Sequence, residues 1–77
     1  MKTKDIWLAA ALITLNFNPL AIDKEGEIIY FTFPDDKNIK TVVDNFEAGT
    51  LKINLTAFMV HYKKLLATVK TMLLTQN

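Results

Sequence analysis

The spacing of apolar and polar positions changes several times along this chain, and each change predicts an element. Ile6, Ala9, Ala10, Ile13 and Phe17 recur at helical intervals and make one stripe. Leu8, Ala11, Leu12 and Leu15 make a second, and Trp7 adds to the coverage. A helix that is apolar nearly all round has to be buried nearly all round. Asp5, or Thr3, is placed to cap its start. Pro19 forbids its continuation much past Asn16.

The period then falls to two. Leu20 to Asp23 reads as a short strand, Lys24-Glu25-Gly26 as a three-residue hairpin loop with Gly26 in the left-handed position, and Glu27 to Phe33 as the return strand. Leu20 and Ile22 are expected to share the core face with Ile29, Phe31 and Phe33. The return strand is apolar on its second face too, through Ile28 and Tyr30, and nothing in the pattern says what covers them. Asp35-Asp36 is expected to cap the next helix, where Ile39, Val42, Val43 and Phe46 fall at i, i+3, i+4 and i+7 and Gly49 supplies the stop. Leu51-Lys52-Ile53 alternates and suggests a short third strand.

Asn54 is placed to cap a last helix running to about Leu74. Leu55, Phe58, Tyr62, Leu65, Val69 and Met72 form its seam, and Met59, Leu66 and Leu73 widen it. Val60, Ala67 and Leu74 line a separate row. At about 1.5 Å per residue this helix is about 30 Å long, near the diameter of the whole domain. The order is helix, β-hairpin, helix, short third strand and long C-terminal helix. It predicts one α+β domain over residues 1–77, a small antiparallel sheet with helices packed on it.

Composition sharpens this picture. About half of the 77 residues are hydrophobic, as in folded globular chains. A core this small supplies only about 3–5 kcal/mol of net stability unless something reinforces it. With no cysteine, neither disulfides nor thiolate-bound metals can do so. Oligomerisation can. The N-terminal segment has the outline of a signal peptide, with Lys2 and Lys4 ahead of the apolar run. Asp5 interrupts the positive region and Pro19 would stand at −3 if cleavage followed Ala21, so we expect the segment to be part of the fold. The run is also too short to span a bilayer.

Charge is uneven. Residues 1–47 carry five lysines and eight acids, a balance of −3, whereas residues 48–77 carry Lys52, Lys63, Lys64 and Lys70 and no acid, a balance of +4. Such a division fits a solvated helix face, head-to-tail self-association, or lysine contacts to nucleic-acid phosphates. The chain contains no arginine and no serine. Without arginine there is no bidentate fork for guanine, phosphate or carboxylate, and without serine or cysteine the commonest nucleophiles are absent. His61, the one histidine, has Ala57, Phe58, Lys64 and Leu65 at i±3 and i±4, none of them a metal ligand. Asp35-Asp36 with Asn38 lacks the rest of a calcium loop. No acid, base and nucleophile fall together, so the chain is expected not to be an enzyme and to need no cofactor.

Together KDIWLAAALITLNF, IIYFTFPDD and NFEAGTLKINLTAF resemble a family of small uncharacterised domains of unknown function from bacteria and their phages. The resemblance implies a cytoplasmic setting and the element order above, and it carries over no functional residues. The functional expectation therefore rests on surface. It is a small interaction or structural module that self-associates through Trp7, Ile28, Tyr30, Val60 and Leu74, as a homo-oligomer or with a protein partner and without a membrane. The alternative is an accessory nucleic-acid-binding protein using Lys52, Lys63, Lys64 and Lys70.

Overall fold

In the computed structural model, which describes residues 1–74, the chain runs β1 (Lys2–Thr3), α1 (Ile6–Thr14), β2 (Ala21–Glu25), β3 (Ile28–Thr32), α2 (Lys37–Ala48) and α3 (Leu55–Leu74). Local chemistry sets most of these boundaries. The Asp5 carboxylate accepts from the Trp7 and Leu8 amides at 2.9 and 3.2 Å and caps α1. At the other end Asn16 takes a left-handed φ of 71°. The Phe17 amide then donates back to the Leu12 carbonyl and the Asn16 amide to that of Ile13, which closes a Schellman motif. Gly49, at φ 75°, ends α2 in the same way, with Thr50 donating to Asn45 and Gly49 to Phe46. The Asn54 side chain accepts from Ala57 and caps α3.

The capping of α2 differs from expectation in one respect. Asp36 alone caps it, accepting from the Asn38 amide at 2.7 Å. Asp35 instead meets the Met1 amino group at 3.2 Å, a long-range pairing that local pattern cannot announce.

Two corrections concern the sheet. Its third strand is Lys2–Thr3, which pairs antiparallel with Thr32 and Phe31; Leu51–Ile53 forms no strand. Leu51 and Ile53 alternate because both line an apolar cleft between α1, α2 and α3, and not because they hydrogen-bond to a neighbour. The sheet order is β1-β3-β2, with β3 central. The hairpin loop is also shorter than expected. Glu25 pairs with Ile28, which leaves the two residues Gly26 and Glu27 in the turn. Gly26 is the one with positive φ, the arrangement of a hairpin with glycine first.

One sheet face makes the core. Ile29, Phe31 and Phe33 are buried beneath Leu8, Ala9, Ala10 and Leu12 of α1, with Ile39 from α2 and Leu65 from α3. Five consecutive residues of α1, Leu8 to Leu12, are buried, which matches a helix apolar all round. The fully buried Ala9 and Ala10 leave room for neighbouring elements to approach its backbone. Ile22 pairs with Phe31 and packs on this core as expected. Leu20 does not: it lies outside the strand and is 70% exposed. Phe58, Tyr62, Val69 and Met72 fasten α3 along most of its length, so it is a spine for the domain, whose longest dimension is 39 Å.

Candidate interaction surface

Helical geometry fixes what α3 can hide. Successive residues turn by about 100°, so the seam from Leu55 to Met72 spans an arc of about 100°, and Met59, Leu66 and Leu73 extend it to about 140°. The domain buries one edge of this arc, at Leu65, and leaves the other in solvent. Leu55 is 68% exposed and Met59 47%, Leu73 is exposed as well, and Leu66 between them is half-buried. The apolar spacing places all four on the core stripe; Leu55, Met59 and Leu73 are instead surface, and an arc wider than one neighbouring helix can cover is the signal in the sequence that points to this.

Trp7 borders this edge. It is 54% exposed, yet its ring stacks on Tyr62 at 4.8 Å and on Phe58 at 6.0 Å. Phe58 and Tyr62 also stack, at 6.1 Å. Tyr62 stands three residues after Met59 and four before Leu66, so the stack and the leucine-methionine row are neighbours on the helix surface. Trp7 is thus both partly packed and partly offered. Leu55, at the start of the row, also lines an apolar cleft of about 250 Å³ with Ala11, Phe46, Leu51, Ile53 and Phe58.

The five residues expected to bind a partner do not form one surface. Val60 and Leu74 are exposed, with Ala67 on the same row, but Lys63 and Lys70 stand between that row and the Met59 edge. Ile28 and Tyr30 lie on the outer face of the sheet, on β3, away from the helices. There the chain partly covers itself. The Lys2 ammonium sits 4.7 Å from the centre of the Tyr30 ring and donates to Glu25 at 2.6 Å, crossing β3 from one edge strand to the other. The Glu25 carboxylate, by accepting this bond, raises the pKa of Lys2 above the ordinary lysine value. Ile28 remains exposed beside it.

The lysines expected to touch nucleic acid are also dispersed. Lys63 and Lys70 share one side of α3, Lys64 points about 100° away from Lys63, and Lys52 precedes the helix. His61 is half-buried on the side of α3 away from Met59. A second cleft, of about 480 Å³, is lined by Met1, Pro34, Ile39 and Val43 together with charges of both signs, Asp35, Asp36, Lys37 and Lys40. Among the described residues no helix is long and apolar enough to cross a membrane.

Residues 1–73 match a family described as a domain of unknown function, DUF5659. No curated protein and no solved structure matches the chain.

Proposed function

The chain belongs to the DUF5659 family of domains of unknown function, which assigns it no activity, and we propose that it is a small non-enzymatic interaction module of the cytoplasm that self-associates through the apolar edge of α1 and α3. One observation carries this reading: Trp7, Leu55, Met59 and Leu73 are all exposed on the same side of the molecule, with Leu66 half-buried between Met59 and Leu73. Solitary exposed hydrophobes are ordinary, whereas contiguous ones mark contact surfaces. Burying about 400 Å² of such surface, at about 25 cal/mol per Å², is worth about 10 kcal/mol before the costs of association. That exceeds the net stability expected of so small a core.

Replacing Met59 and Leu55 with glutamate tests the assignment. The parent is expected to gain mass with concentration in sedimentation experiments, and the double variant to remain monomeric with an unchanged far-ultraviolet circular dichroism spectrum. Equal association of both would remove this edge from the account. Nucleic-acid binding is the second reading. It is less supported because its lysines do not converge, and an electrophoretic shift at low salt that disappears at moderate salt would restore it.

A further inference from the structure

We infer that association is head-to-tail: the Met59 edge of α3 in one copy docks on the outer face of the sheet in the next. This rests on the self-association proposed above and adds which surface meets which. The two surfaces are complementary in charge: the α3 edge is apolar with lysines beside it, and the outer sheet face carries acids around the exposed Ile28, with Lys2 on the same face already held by Glu25. On α3, Lys63 stands four residues after Met59 and three before Leu66, and Lys70 four after Leu66 and three before Leu73, so these lysines flank the apolar row. On the sheet, Asp23 pairs with Tyr30 and Glu25 with Ile28, which puts both acids on the face that carries the exposed Ile28; Glu27 is in the adjoining turn. Among the described residues neither Lys63 nor Lys70 forms an ion pair, and neither does Asp23 nor Glu27.

A twofold antiparallel pairing of the α3 edge with itself is the competing arrangement. It would set Lys63 and Lys70 of both copies on the same side, like charge beside like charge with no acid on α3 to separate them. Docking basic edge on acidic sheet avoids this. It also places the long-range charge division of the chain, negative before residue 48 and positive after, across the contact. A contact between two different surfaces leaves one of each free, so it continues into a ring or an open chain of copies.

Charge reversal tests this directly. One variant carries Lys63→Glu and Lys70→Glu, the other Asp23→Lys and Glu27→Lys, each checked for parent-like circular dichroism and thermal unfolding. If either variant is misfolded, the single changes Lys70→Glu and Glu27→Lys replace them. Each alone is expected to sediment as a monomer at concentrations where the parent associates, and an equimolar mixture is expected to regain the parent's mass, because both contacts are again complementary. Loss of association in each variant without rescue on mixing, or undiminished association of either alone, would overturn the head-to-tail arrangement while leaving self-association standing. A parent that is monomeric throughout would overturn both.

Discussion

Gly49 has φ 75° and nothing within 4 Å of where a Cβ would lie, so Gly49→Ala tests backbone strain without a clash. The left-handed conformation costs a residue with a Cβ about 1–2 kcal/mol, and urea unfolding of that variant is expected to show a loss of this size. Asn16, at φ 71°, does the same duty with a side chain that tolerates it, so Asn16→Gly is expected to be neutral or slightly stabilising. Removing the α2 cap by Asp36→Ala should cost about 1 kcal/mol in the same assay. Lys2 gives a pH-dependent counterpart. Its pKa is raised in the folded chain by Glu25, so its contribution is fully present below the ordinary lysine value of 10.5 and is lost as the pH rises through the higher folded value. A nuclear magnetic resonance titration of the Lys2 side chain should therefore show a midpoint above the ordinary lysine value of 10.5, and Glu25→Gln should lower it; an unraised midpoint in the parent would contradict the bridge across Tyr30. These residues divide by how far away their partners are. The roles of Asp5, Asp36, Asn54 and Gly49 were legible because a cap or a stop acts within a few residues. The pairings of Lys2 with Glu25 and of Met1 with Asp35 span 23 and 34 positions, and no local pattern encodes them.

Among the elements, α1 is the most legible and the least replaceable. Its two apolar stripes predict burial on every side, and Leu12 has no exposed surface. Leu12→Ala should cost about 2–5 kcal/mol, comparable with the whole stability expected of this core, so the variant is expected to lose its cooperative thermal transition near room temperature. A cooperative transition at the parent's temperature would show that α1 is not the centre of the core. The strands were harder to read. Alternation at Leu51–Ile53 reports a two-sided environment and is silent about hydrogen-bond partners, so a segment lining a cleft imitated a strand. Lys2–Thr3 is too short and too polar to display any period, yet it completes the sheet. For α3 the apolar residues were recognised, but the sequence alone did not say which side of a 140° arc the domain covers, since that depends on where α1 crosses it.

At the scale of the molecule, the charge division was plain in the sequence and its meaning was not, because the candidate residues fall on three separate surfaces. Ile28 and Tyr30 belong to the sheet, Trp7 to the α1–α3 edge, and Val60 and Leu74 to a row beyond the lysines. In solution, the Met59 edge is proposed to be covered by another copy. Sedimentation equilibrium of the unaltered chain, from low to high micromolar concentration at moderate salt, tests this most directly. The account predicts a weight-average mass that climbs above the 8.8 kDa of one chain as concentration rises. A mass that stays at the single-chain value across the whole range would contradict it.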